Sequence, residues 1–254
     1  LGGSVVTEKD KSLTPNRENI KRLSREIAEA GEKELILVHG GGSYGHPIAD
    51  KYNLSEGYFD VSQIIGVAKT HQAMVALNSL LIESLLSYSV PAISVAPSSF
   101  TITDKGRITD MNLSNLRHYL EKGITPVSFG DVVPDRSRGF SILSGDQLAA
   151  RFALELGADR LIYGIDVDGV YTSNPKLDRT ARLVELLSLK DIEENIRLGG
   201  SLSTDVTGGM KGKIQEAVNA LRVGIKVQIV NASKPDIIFK TLRGERVTGT
   251  LLVK

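Results

Sequence analysis

The chain has 254 residues, with 31 Lys and Arg against 30 Asp and Glu, so no excess of positive charge marks it for nucleic acid or an anionic membrane surface. It has no cysteine, and its four histidines show no metal-ligand spacing, which excludes disulfides, thiolate chemistry and Cys-ligated metals. No apolar stretch approaches the roughly 20 residues of a membrane span and no signal peptide is present, so the expected setting is the cytoplasm and the expected partners are small molecules.

In chain order, Leu1-Gly2-Gly3-Ser4 reads as the end of a strand turning into a phosphate-approaching loop, with the strand itself cut off. Thr7 to Pro15 is polar loop and carries Lys9. A helix opens at Pro15-Asn16, places Ile20, Leu23, Ile27 and Ala30 at helical spacing, and stops at Gly31. Leu35 to Val38 is a short apolar run of the kind that forms a fully buried strand, and the glycine-rich run from His39 to His46 leads into helix-compatible sequence through Lys51. After a loop to Asp60, a long amphipathic segment runs from Val61 to about Tyr88. It contains His71, whose apolar neighbours favour packing over the alternative, contact with a ligand.

Pro91 to Ala96 reads as a strand, Asp104 to Arg107 as a hairpin turn, and Leu113 to Glu121 as a helix stopped by Gly123. The strand Ile124 to Phe129 ends in Gly130-Asp131. A hairpin through Asp135 and Gly139 then carries the chain to Ser144-Gly145-Asp146 and a helix from Gln147 to Leu156. The strand Leu161 to Ile165 ends in Asp166-Val167-Asp168-Gly169-Val170-Tyr171, which lacks the third ligand position and closing glutamate of a calcium loop. Thr207-Gly208-Gly209-Met210-Lys211-Gly212-Lys213 leads into a helix from Ile214 to Leu221. Lys226 to Val230 and Val247 to Val253 are strands, with a helix from Pro235 to Leu242 separating them. Strands alternating with helices imply a mostly parallel sheet covered on both faces, with ligands beyond the carboxyl ends of the strands.

The run from His39 to His46 supports three motif readings. Gly40, Gly42 and Gly45 fit GxGxxG, but the acidic residue required about 20 positions on falls on Glu56 or Asp60, in polar loop sequence. Gly41, Ser43 and Gly45 fit GxSxG, but the last histidine is His118, which leaves the C-terminal half without a role. In the third reading the turn is an anion cradle: glycines let backbone approach a phosphate, the helix start supplies N–H groups, and His46 is a charge-stabilising donor. The Walker spacing GxxxxGK[ST] occurs nowhere.

Taken together, Leu1-Gly2-Gly3-Ser4, Gly40 to Gly42, Gly145-Asp146, Asp166 to Tyr171 and Thr207 to Lys213 resemble the amino acid kinase family in order and spacing along essentially the whole chain. Within it, the run from His39 to Pro47 is similar to the archaeal-type members that phosphorylate isopentenyl phosphate to isopentenyl diphosphate. The resemblance implies one domain over 1–254 with an open three-layer αβα sandwich, in which about 1–157 holds the acceptor and about 158–254 the nucleotide. It implies a homodimer that uses ATP and Mg²⁺.

By the same resemblance, Gly41, His46 and Gly145 contact the acceptor phosphate. Gly2, Gly3, Ser4, Gly42, Asp166, Tyr171, Lys176, Gly209 and Lys213 contact ATP. Lys9, His46 and Lys213 stabilise the transferring phosphoryl group, and Asp146 orients the lysines. The family's pattern also places a lysine directly before position 1, and the sequence as given does not contain it, so the chain starting at Leu1 is expected to bind ATP poorly. Other acceptors of the same fold, of fosfomycin or acetylglutamate type, and a non-catalytic nucleotide sensor remain alternatives. The chemistry needs no general base, because a phosphate monoester with a second pKa of about 6 is already a dianion near neutral pH. What the site must supply is positioning and neutralisation of charge.

Overall fold

The computed structural model describes residues 1–175, 177–197 and 208–254, which fall into two compact units, 1–148 and 149–254. The first unit contains α1 (Gly3–Val6), α2 (Arg17–Ala30), β1 (Leu37–His39), α3 (Gly42–Lys51), α4 (Gln63–Ser87), β2 (Ala92–Ser94), β3 (Thr101–Asp104), β4 (Arg107–Met111), α5 (Ser114–Glu121), β5 (Thr125–Phe129), β6 (Asp131–Asp135), β7 (Gly139–Leu143) and the start of α6 (Gly145–Leu156). Its parallel sheet has the order β1-β5-β2, with Val38 opposite Ser128 and Ile93 opposite Pro126. Every residue of β5 is buried, as a strand covered on both faces requires. The other sheet, β4-β3-β6-β7, is built from two hairpins joined through the parallel pairing of Thr103 with Asp135.

Local chemistry sets the element ends. The Asn16 side chain accepts a hydrogen bond from the Asn19 N–H, which caps α2, and Gly31 at φ +66° ends it. In α4 the buried positions Gly66, Thr70, Met74, Leu77, Asn78, Leu81 and Leu85 form a stripe at helical spacing. The buried Gln63 at its start holds the preceding loop: Oε1 accepts from Phe59 and Asp60 N–H, and Nε2 donates to the carbonyls of Tyr52, Asn53 and Gly57. Asp135 does the same for both hairpin turns, accepting from the N–H groups of Lys105, Gly106, Ser137 and Arg138 and from Thr103 Oγ1.

The second unit contains β8 (Arg160–Ile165), β9 (Leu186–Ser188), α7 (Leu189–Arg197), α8 (Gly208–Arg222), β10 (Lys226–Asn231), α9 (Ile237–Leu242) and β11 (Gly249–Val253). Its sheet order is β8-β10-β11-β9, with β10 parallel to β8 and antiparallel to β11. Leu161, Tyr163, Val227, Ile229 and Leu252 of the sheet pack with Ile214, Ala217 and Leu221 of α8 in one core. The Arg160 guanidinium donates to the carbonyls of Thr241 and Leu242 at 2.9 and 3.0 Å and so caps α9.

Of the eight strand pairings among the described residues, five are parallel, which agrees with the mostly parallel expectation. Some local expectations are corrected. Gly3–Val6 winds into a four-residue helix where an open loop was expected, because Val5 and Val6 turn into the core. The helices α6 and α8 begin at Gly145 and Gly208, so Gly145, Asp146, Gly209 and Lys213 are helical, where a loop ahead of the helix was expected. Glycine weakens a helix by only about 1 kcal/mol and no proline intervenes to stop it. The elements β9 and α7 were not anticipated.

Candidate active site

Three segments of the first unit meet at the carboxyl end of β1. The Gly40 N–H donates to Leu1 O at 2.9 Å, and the Gly130 N–H donates to His39 O at 3.0 Å. Gly145 packs on that same carbonyl, so that a Cβ there would lie 3.1 Å from His39 O. Gly3 and Gly42 meet backbone to backbone: a Cβ on Gly3 would lie 2.3 Å from Gly42 N, and one on Gly42, at φ +48°, would lie 2.2 Å from Thr7 Oγ1. Glycine is the one residue that permits this approach. The structure thus brings Gly3, Gly41, Gly42 and Gly145 together around one strand end.

These contacts consume most of the turn's polar groups. Gly41 O accepts from Tyr44 N at 3.0 Å and Gly45 N at 3.2 Å, and the Ser43 N–H donates to Thr7 Oγ1 at 3.1 Å. The N–H groups of Gly41 and Gly42 meet no acceptor among the described residues. Two unpaired donors at the positive end of a ten-residue helix are groups whose chemistry suits an anion. His46 is the fifth residue of α3, one position beyond the first turn and not at the helix start as expected, because α3 already begins at Gly42. Its imidazole is exposed and has no hydrogen-bond partner among the described residues. Lys9 is exposed in the loop from Thr7 to Pro15, whose base is closed by the Thr7–Pro15 bridge. Gly2 and Ser4 are half-buried, as is Asp146, the second residue of α6.

Behind the turn lies a polar network that sequence reasoning missed. His39, 1 % exposed, sets Nδ1 at 3.1 Å from Gly40 O and Nε2 at 3.1 Å from Asn78 Nδ2, and stacks on Phe129. A carbonyl on one side and an amide donor on the other fix the neutral tautomer with the proton on Nδ1. Burial pulls the His39 pKa down from 6.5 to about 4, opposed by the bond to Gly40. The one sequence signal was Asn78, an amide in the mostly apolar stripe of α4.

His71 was expected to serve packing rather than a ligand, and its Nδ1 lies 2.9 Å from Oδ2 of the buried Asp131, the residue that follows Gly130. Burial raises the Asp131 carboxyl, with His71 and the Val132 N–H pulling the other way.

In the second unit, Asp166 and Tyr171 bracket the turn after β8. That turn is pinned by Asp168, which accepts from Lys234 Nζ at 2.6 Å, Asn231 Nδ2 at 2.9 Å and the Tyr171 hydroxyl at 3.4 Å. Lys234 holds the Asp168 carboxyl below the usual range against the effect of burial. The Tyr171 phenol is raised by burial and by Asp168. Gly209 and Lys213 lie four residues apart on one face of α8. Lys176 lies outside the described residues.

The amino acid kinase family model matches residues 1–231. The chain is 43 % identical to the isopentenyl phosphate kinase of Methanothermobacter thermautotrophicus over 98 % of this chain and 96 % of that protein. It is 35 % identical to the enzyme of the same name from Methanocaldococcus jannaschii, over 98 % and 95 %. A crystal structure of isopentenyl phosphate kinase superposes with a TM-score of 0.88 at 40 % identity, covering 100 % of this chain and 98 % of that one. With the glycine-built strand end where the motif order places it and matches running nearly from end to end, the chain belongs to the amino acid kinase family.

Proposed function

We propose that the protein transfers the γ-phosphoryl group of ATP to isopentenyl phosphate, giving isopentenyl diphosphate for isoprenoid synthesis. The observation that carries this reading is the pair of unpaired N–H groups on Gly41 and Gly42, with the unengaged His46 imidazole in the next turn of the same helix. A terminal phosphate dianion fits that set of donors, and its uncharged five-carbon chain asks for no ion pair. Gly41, His46 and Gly145 hold the acceptor phosphate. Gly2, Gly3, Ser4, Gly42, Asp166, Tyr171, Lys176, Gly209 and Lys213 hold ATP, so the acceptor groups come from about 1–157 and most nucleotide groups from about 158–254.

Lys9 and Lys213 neutralise charge on the transferring group and Asp146 orients them, while the acceptor oxygen attacks without a base. The reading takes Mg²⁺ as a cofactor that comes with ATP and would need few protein ligands. When bound, Mg²⁺ offsets the negative charge of the phosphates. The enzyme acts as a homodimer in the cytoplasm; no described helix is long and apolar enough to cross a membrane.

The test is ATP consumption with isopentenyl phosphate, dimethylallyl phosphate, fosfomycin, acetylglutamate and UMP as acceptors. Isopentenyl phosphate is expected to be best. A preference for acetylglutamate or UMP by about tenfold, which corresponds to 1.36 kcal/mol in the barrier, would overturn the reading.

A further inference from the structure

Pro47 stands inside α3, past its first turn. A proline there has no N–H to give to the carbonyl four residues back, and its ring pushes that carbonyl aside. The carbonyl left over belongs to Ser43, and it is taken by the Leu13 N–H at 3.0 Å, across from the helix. Ser43 is otherwise fully committed to the same loop: its N–H goes to Thr7 Oγ1 at 3.1 Å and its hydroxyl to Thr14 O at 3.4 Å. The loop's base is closed by the Thr7–Pro15 bridge and by Glu8 N–H to Thr14 O at 2.9 Å. Leu13 takes φ +51°, a conformation rare outside glycine, and its side chain is half exposed, so packing of that side chain does not account for the bend. Lys9 lies in the tip of this loop, between the two fastened limbs.

We infer that Pro47 is a positioning residue for phosphoryl transfer: by leaving Ser43 O without its helical donor, it fastens Leu13 to α3 and thereby fixes the loop that presents Lys9. The inference rests on the role given to Lys9 above. It explains why a residue unfavourable to helices sits immediately after His46, in the helix whose start leaves the Gly41 and Gly42 N–H groups unpaired. In Pro47→Ala the restored N–H competes with Leu13 for the same oxygen, and the loop loosens while the helix itself becomes more regular.

The two effects have opposite signs, which makes the test sharp. Pro47→Ala is expected to melt at or above the wild-type temperature, yet to lose roughly 10- to 100-fold in turnover with MgATP and isopentenyl phosphate, the range for a displaced catalytic group. KM for both substrates should stay within about twofold. In a Lys9→Ala background the same substitution should change turnover by less than about twofold, whereas in a His46→Ala background its full effect should persist, since His46 precedes the proline but is not the group acted through. The Leu13 amide, read by hydrogen exchange, should lose protection in Pro47→Ala.

Turnover of Pro47→Ala within about twofold of wild type, or an equal loss in the Lys9→Ala background, would overturn the inference. So would a lower melting temperature or unchanged Leu13 protection. If the wild-type protein uses none of the acceptors, the proposed function has failed, and Leu13 exchange in the two proteins still decides whether Pro47 frees the carbonyl that holds the loop.

Discussion

His39 gives the most direct physical test of how the glycine turn is held. Lowering the pH makes the unfolded chain take up a proton at this side chain below about 6.5, while the buried, neutral ring of the folded protein resists until about 4. The unfolded state therefore binds more protons across that window. The contribution is fully present above 6.5 and is lost as the pH falls toward 4. At 1.36 kcal/mol per decade the loss is roughly 3 kcal/mol, a large part of the stability of an ordinary domain. His39→Gln keeps a neutral acceptor for Asn78 but cannot titrate. It is expected to cost about 1–3 kcal/mol at neutral pH through the lost bond to Gly40 O and the lost stacking on Phe129. Urea unfolding followed by circular dichroism at steps from pH 7.5 to 4.5 measures both proteins, and other titrating groups cancel in the difference. The wild-type advantage should shrink steadily toward acid. Parallel stability curves for the two proteins would refute the assignment of a neutral buried imidazole.

Three further expectations follow from contacts described above. His46→Ala should lower turnover by roughly 100- to 1000-fold, the cost of one preorganised donor, with an unchanged melting temperature because the side chain is exposed; near-normal turnover would remove it from the mechanism. Asp135 is raised by burial but held at about 2 by the N–H groups of Gly106 and Arg138, the Thr103 hydroxyl and the Ser137 N–H. Its contribution is present above 3.8 and lost as the pH falls through about 2, and Asp135→Asn should destabilise by about 2–4 kcal/mol in urea. Gly66→Ala would put a Cβ 2.4 Å from the Tyr52 ring and should cost about 1–3 kcal/mol while leaving turnover per folded molecule intact, which melting and initial rates together would check.

Local signals made much of this architecture readable in advance. The limits of α2 were announced by Asn16 and Gly31, the β3–β4 turn by Lys105-Gly106, and the helix after the central strand by its glycines. The short strand β9 was not readable, since Leu186–Ser188 is too brief to show alternation. Buried polar partners were also out of reach. Asn78 is 39 residues from His39, and Asp131 is 60 from His71, so nothing local joins either pair. His71 looked like packing because its neighbours on α4 are apolar, and only the fold supplies the carboxylate that turns it into an oriented imidazole. Pro47 read as an ordinary part of a glycine-rich run until the Leu13 amide was seen on the carbonyl it leaves open.

The contact of Gly3 with Gly42 has a consequence for how such a protein can diversify. Where main chain lies directly on main chain, no substitution at those positions can adjust the contact by degrees. Mutational drift meets a barrier there, because every alternative residue is excluded at once. Graded change must then arise at surrounding positions, where side chains of different size can be exchanged one at a time. A saturation library would waste its diversity on Gly3, Gly40 and Gly42, where an added Cβ would lie within 2.8 Å of main-chain atoms.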